Sequence, residues 1–261
     1  SIIKNNLFSK NKINNVKKLV IVSEQGIGDK ILFSSFYIDL LKLKIDLKFL
    51  IDSRLEKIFR RSFGNYEYIN INDTERIKEL VKEQYEFIYA GSLGKFFRNK
   101  ISKFKGNAFL EPDKEKVLKY QSILKSYNCK KYIGISWKSS SKFSDKKSFY
   151  IDNFNPIIKE EDYGIINLQY GDLTDLNEYN LRSEKKIIQI NDLDLFNDID
   201  STIALIYCLD FVVTSPNLTI HLAGSVGKKC LAFYHQEYES ILNSETTKNE
   251  WYKNLKITQF T

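Results

Sequence analysis

The sequence predicts an α/β protein of two successive halves, each built on a mostly parallel β-sheet. Three observations carry this reading. Short apolar runs rich in β-branched residues, such as KLVIVS (18–23), have the composition of strands buried on both faces. They alternate with stretches whose apolar residues recur at helical spacing, so the chain reads as βα units. The pattern then restarts near residue 131, after a polar, lysine-rich stretch.

In the first half, strands are expected at 18–23, 46–52, 66–71 and 85–92. Helices are expected at 29–43, where Ile31, Leu32, Ser35, Ile38 and Leu41 share a face, at 53–63 capped by Ser53, and at 74–84. A helix at 112–127, with Pro112 in its first turn, joins the halves. The second half offers strands at 131–137, 163–171, 185–191, 210–215 and 228–235. Its helices are expected at 151–158, at 198–209 with acidic residues at the start, and at 217–227 closing on Gly227. Residues 139–149 read as a polar loop, and 249–257 as short helical turns. Glycine and serine gather where strands end, and ligands of parallel sheets bind beyond those ends, so the expected site is a cleft between the halves.

Bulk properties narrow the classes. The chain has 261 residues, 43% hydrophobic and 28% charged, a mix that can bury one large or two modest cores. No apolar run spans a bilayer, and the lysine-rich N-terminus lacks the core of a signal peptide, so a cytoplasmic location is expected. A chain that opens on Ser1 is expected to come from a longer parent. The net charge of +7 is spread among interleaved acidic residues, and no nucleic-acid motif accompanies it, so no specific nucleic-acid partner is expected. Cys129, Cys208 and Cys230 form no C-x-x-C pair, and His221 and His235 are the two histidines, so neither disulfides nor a metal site is expected.

Four stretches carry candidate chemistry. Glu24-Gln25-Gly26-Ile27-Gly28-Asp29 is a glycine turn between a strand and a helix. It departs from G-x-G-x-x-G, since residue 31 is Ile. Asp29 falls at the helix N-terminus, where negative charge is favoured; it is either a cap or a base for an acceptor hydroxyl. In ISWKSSSKF, Lys138 and Lys142 with Ser139 between them leave a strand end and suit phosphate oxygens; the alternative is a solvated loop. In TSPNLTIHLAGSVG, Pro216 fixes a turn and Asn217 or Thr219 caps a helix whose first N–H groups, from Leu218 on, make an anion site. His221 in its first turns is either a packed neutral ring or a diphosphate contact. Gln169, Tyr170 and Gly171 end another strand, where Gln169 can read a base or sugar and Tyr170 can stack. Ser92, Gly94 and Arg98 in GSLGKFFR are candidates for the acceptor side.

Taken in order, EQGIGDKILFSS, DSRLEKIFRRSF, GSLGKFFR, GISWKS, NLQYGD and HLAGSVG span nearly the whole chain. Together they resemble the glycosyltransferase-like domain that follows tetratricopeptide repeats in bacterial proteins. That domain is related to the ADP-heptose:lipopolysaccharide heptosyltransferases of glycosyltransferase family nine. The resemblance implies a GT-B fold, two Rossmann-like domains facing a central cleft, and metal-independent, inverting transfer from a nucleoside-diphosphate sugar without a cofactor. It implies an acceptor-side domain over 1–127, a nucleotide-sugar-side domain over 128–240, and a tail over 241–261 that packs back on the first domain. Asp29 matches the family's proposed base, Lys138 its donor-phosphate lysine with Lys142 as rival, and His221 its histidine. The aspartate-threonine pair that contacts the donor in the family is replaced by Pro216 and Asn217. That departure keeps a second reading in view, a catalytically inactive binding module of the same fold. The expected partners are a nucleotide sugar, a glycan, lipid-linked or protein acceptor, and an upstream repeat region in a longer parent.

Overall fold

The computed structural model describes residues 2–9, 13–139, 147–234, 242 and 249–259. The chain divides into two compact units, Ser1–Lys105 with Phe109–Glu111, and Gly106–Ala108 with Pro112–Thr261. No helix among the described residues is long and apolar enough to cross a membrane.

The first unit holds four strands, β1 (Lys18–Val22), β2 (Asp46–Ile51), β3 (Glu67–Asn70) and β4 (Glu86–Tyr89), in the order β3-β2-β1-β4, every pair parallel. β1 is covered on both sides, which is why its four apolar residues are all buried. On one face Val20, Val22, Leu50, Ile69 and Phe87 pack against Ile77 and Leu80 of the helix Thr74–Lys82. On the other, Phe49 meets Tyr37 at a ring separation of 5.0 Å, and Tyr37 meets Phe59 of the helix Glu56–Phe63 edge-on at 5.9 Å. The edge of β4 is not bare: Leu7 bridges to Phe87, with Phe8 N–H donating to Phe87 O and Phe87 N–H to Asn6 O.

The second unit adds β5 (Lys131–Ser136), β6 (Tyr163–Asn167), β7 (Phe211–Thr214), β8 (Cys230–Tyr234) and β9 (Leu255–Gln259), in the order β6-β5-β7-β8-β9, again all parallel. One face of this sheet buries Ile133, Ile135, Ile165 and Val213 with Trp137, Phe154, Leu176 and Tyr179.

Several sequence-based boundaries move, each for a physical reason. The helix Lys114–Ser126 belongs to the second unit, not to a domain ending at 127, because it packs along the apolar helix Ile199–Cys208. Within the tail, Leu255–Gln259 becomes a strand of the second unit beside β8, in register from Cys230↔Leu255 to Tyr234↔Gln259, and Tyr252 is buried in the same unit. An open sheet edge at β8 takes a fifth strand where helical turns were expected. The stretch 185–191 reduces to one bridge, Ile166↔Ile188. A helix the pattern did not reveal, Thr174–Arg182, follows β6. The helix expected at 29–43 starts earlier, at Ile27, and breaks into Ile27–Ser34 and a turn at Tyr37–Leu40. Asp52, not Ser53, caps the turn before Glu56–Phe63, its Oδ1 accepting from Arg54 N–H at 3.1 Å.

The Glu67 carboxylate on β3 accepts from Arg76 Nε at 2.7 Å and from Lys48 Nζ, which hold it down to about 2. A carboxylate depressed on folding contributes stability above its unfolded pKa and loses it as pH falls through the folded value. We therefore expect Glu67→Gln to be less stable than the parent at pH 6. The gap should close between roughly pH 4.5 and pH 2, as measured by urea midpoints across that range.

Candidate functional site

The carboxyl ends of β5, β6 and β7 lie side by side, with Ile135 opposite Asn167 and Ser136 opposite Thr214. Two buried amide side chains tie them together. Gln169 Oε1 accepts from Ser136 Oγ at 3.1 Å, Trp137 N–H at 3.0 Å and Lys138 N–H at 2.8 Å, while its Nε2 donates to Tyr170 O at 2.9 Å. Asn217 Nδ2 reaches Ser136 Oγ at 2.7 Å, Lys138 O at 3.0 Å and Ser215 Oγ at 3.2 Å. Its Oδ1 accepts from Thr219 N–H at 2.8 Å and so caps the helix Leu218–Ser225. The backbone of Lys138 is thus held from both sides. Gln169 is held by these internal hydrogen bonds at the edge of the pocket described next.

Around this clamp lie the other donor-side candidates. Lys138 Nζ sits 2.5 Å from Asp175 Oδ2, and Trp137 Nε1 donates to the same oxygen at 3.4 Å. Ser139 N–H donates to Ser148 Oγ at 3.1 Å. Pro216 is buried in the turn between β7 and the helix, and Leu218 is its first residue, partly exposed. His221 Nδ1 lies 3.1 Å from Tyr252 OH. Desolvation, aided by the charge of Lys147, pushes His221 down to about 4, so the ring is neutral at physiological pH. Gly171 closes β6's loop at φ +87, a conformation that favours glycine. Lys142 lies outside the described residues.

A pocket of about 170 Å³ opens beside the clamp, walled by Asn167, Gln169, Tyr170, Gln189, Ile190 and Phe196 among others. Tyr170 and Phe196 are neighbours in its wall, their ring centroids 6.0 Å apart with a tilt of 41°. A wall that mixes aromatic rings with amides suits the edge or face of a planar ring.

In the first unit, Gly26 is the N-cap of the helix Ile27–Ser34 and Asp29 is its third residue. Asp29 Oδ2 accepts from Gly26 N–H at 3.2 Å, the back-reaching half of a capping box. Gln25 turns the chain at φ +63, exposed, and Gly28 lies inside the first helical turn. Glu24 Oε1 accepts from Gly91 N–H at 3.0 Å, joining the loops after β1 and β4. A Cβ on Gly91 would sit 2.7 Å from that oxygen, so the approach requires glycine. Gly94 lies against the Phe36 ring. Arg98 donates to Ser35 O at 2.6 Å and Ser35 Oγ at 3.0 Å, at the C-terminal end of the helix Ile27–Ser34, and lies over the rings of Phe36 and Phe104. Ser92 lines a 480 Å³ pocket with Phe8, Tyr89, Lys95 and Phe96.

Residues outside the sequence-based set also stand at these strand ends. Lys30 Nζ pairs with Asp52 at 3.5 Å, and Arg54 binds Asp52 through Nε and Nη2, holding that carboxyl down to about 2. The D-x-R spacing in DSR was their one signal. Asp175 escaped because its helix did, and Phe196 and Tyr252 carry no local signal. Among the described residues, no group of three His, Cys, Asp or Glu side chains is placed to hold a metal ion.

Comparison with known proteins agrees with this architecture. No protein-family model matches the chain. The chain is 30% identical over 230 residues to Protein FlbA of Caulobacter vibrioides. The match covers 81% of this chain but only 38% of that protein. Among solved structures, a glycosyl transferase family 9 protein of Veillonella parvula superposes with a TM-score of 0.65 at 14% identity, over 95% of this chain and 89% of that one. ADP-heptose lps heptosyltransferase II of E. coli gives 0.65 at 12%, over 92% and 90%. E. coli heptosyltransferase WaaC with ADP-2-deoxy-2-fluoro heptose gives 0.54 at 11%, over 92% of each. At such identities the likeness shows a shared fold.

The clamp has a direct energetic consequence. Asn217→Ala removes the helix cap and leaves Ser136 and Lys138 short of a partner in a buried site. We expect it to cost about 2 kcal/mol, read as a lowered urea midpoint.

Proposed function

We propose that the chain is a glycosyltransferase of heptosyltransferase-like, GT-B type, transferring a sugar with inversion from a nucleoside-diphosphate sugar to an acceptor hydroxyl. The observation that carries this is the convergence at the ends of β5, β6 and β7. There, a capped helix N-terminus, Lys138 and an aromatic-walled pocket stand on one sheet. A helix N-terminus and a lysine suit phosphate, and an aromatic pocket suits a base. In this reading Tyr170 and Phe196 line the nucleoside pocket, and the N–H of Leu218 with Lys138 holds the diphosphate, the N–H of Thr219 being taken by the Asn217 cap.

The first unit supplies the base. Asp29 takes the proton of the acceptor hydroxyl, whose oxygen forms a bond to the anomeric carbon. The bond from that carbon to the phosphate oxygen breaks, and its electron pair leaves with the nucleoside diphosphate. The helix N–H and Lys138 meet the developing charge, so the reaction needs no metal ion in this reading. Attack from the face opposite the leaving group gives inversion. Glu24, Gln25, Gly26 and Gly28 shape the turn that presents Asp29, and Ser92 stands on the neighbouring loop. The acceptor is a glycan, lipid-linked or protein hydroxyl, selected with the help of a tetratricopeptide-repeat region, as the family resemblance implies.

The second reading, a binding module without turnover, is favoured by Pro216 at the position where the family carries its donor-contacting aspartate. A panel of nucleoside diphosphates and their sugars, followed by thermal shift and by product formation, tests both. We expect one nucleotide to raise the melting temperature, and Asp29→Asn to keep that shift while lowering turnover by about 10²–10⁴-fold. Binding without turnover in the parent chain would favour the module, and binding of no nucleotide would defeat the enzyme and leave a glycan-binding or interaction module.

A further inference from the structure

His221 is the fourth residue of the helix Leu218–Ser225, one turn from the N–H assigned above to the diphosphate. Nδ1 lies 3.1 Å from the hydroxyl of Tyr252, with the two rings edge-on at 6.0 Å and 70°. Tyr252 is only 1% exposed and comes from the segment just before β9, far from His221 in sequence.

Two features place that phenol. Gly224, one turn further along the same helix, leaves the space it fills: a Cβ there would stand 2.4 Å from the Tyr252 ring. The buried amide of Asn249 then holds the backbone, its Oδ1 accepting from Tyr252 N–H at 3.0 Å and Trp251 N–H at 3.1 Å. Its Nδ2 donates to Leu242 O at 2.6 Å. The hydroxyl is therefore aimed at His221 by packing from below and hydrogen bonding from behind.

A neutral imidazole donates from one nitrogen and accepts at the other, and the partner of one nitrogen decides which is which. Of the two groups, the phenol O–H is the stronger acid and an imidazole nitrogen the stronger base. The favoured bond is thus O–H to N. We infer that Tyr252 donates to Nδ1 of His221 and so fixes the Nε2–H tautomer, making His221 a neutral hydrogen-bond donor to the diphosphate held at its helix N-terminus. Tyr252 acts here as a positioning residue, and the phosphate half of the inference rests on the donor-site reading above. The burial that keeps His221 neutral, with Lys147 as the nearby charge, agrees with this role: a doubly protonated ring could not accept from the phenol. His221 then supplies a hydrogen bond and keeps its proton, and the leaving group departs as the anion.

The chain has two histidines, so the tautomer can be read directly. Long-range ¹H–¹⁵N spectra at pH 7, with His235→Asn to assign the signals, should show His221 protonated at Nε2 and bare at Nδ1. In Tyr252→Phe the two nitrogen shifts should converge as the tautomers mix. The affinity for whichever of ADP, UDP, GDP or CDP the parent binds should fall about three- to tenfold. An Nδ1–H signal in the parent overturns the inference without need of any variant, as does a Tyr252→Phe spectrum identical to the parent's. The Nε2–H tautomer in a parent that binds none of the four nucleotides removes the phosphate role, and that outcome is separable because the spectra need no ligand.

Discussion

The second unit depends on one constraint: the ends of parallel strands leave main-chain groups that no neighbouring strand can satisfy. At β5 these are the N–H groups of Trp137 and Lys138 and the carbonyl of Lys138. Gln169 and Asn217 meet them with side-chain amides, and Ser136 Oγ passes the connection from one to the other. Because an unpaired buried polar group is costly, the three strand ends and the start of the helix Leu218–Ser225 hold one arrangement. Lys138, the capped helix and the pocket beside Tyr170 all take their positions from it.

The first unit solves the same problem with charge. Glu24 joins two loops through Gly91, Arg98 donates to Ser35 at the end of a helix, and Asp52 gathers Lys30 and Arg54. Asp29 closes its own helix through Gly26. A carboxylate has two oxygens and about four lone-pair sites, so one long hydrogen bond to a backbone N–H leaves it able to accept a proton from another partner. Cap and base are therefore not exclusive descriptions of Asp29. The cap holds the carboxylate in place at the end of β1, which is what a base requires of its scaffold.

Local pattern exposed the strands best, since four or five consecutive apolar residues buried on both faces look the same wherever they occur. The helices Thr74–Lys82, Lys114–Ser126 and Ile199–Cys208 were also expected, but not their caps at Asp73, Asp113 and Asp198, and the cap at Asp113 leaves Pro112 outside the helix rather than in its first turn. The helix Thr174–Arg182 was not expected, since only Leu176 and Tyr179 mark its buried face among polar neighbours. KKIIQIN has the apolar content of a strand, but one bridge is all the sheet accepts there. The internal hydrogen bonds of Gln169 and Arg98 were not legible at all. Their partners, Ser136 and Ser35, lie 33 and 63 residues away, and no window reaches them.

By itself the sequence determined the two parallel α/β halves, the glycine turn before Asp29 and the helix that starts at Asn217. Each of these follows from local rules of period, capping and backbone freedom. Tertiary structure decided which polar side chains brace the strand ends and the helix starts, and it carried Leu255–Gln259 into the second sheet and Tyr252 onto His221. Those outcomes turn on hydrogen bonds and close packing between distant segments, such as a phenol resting on Gly224, whose energies exist only once the chain has folded.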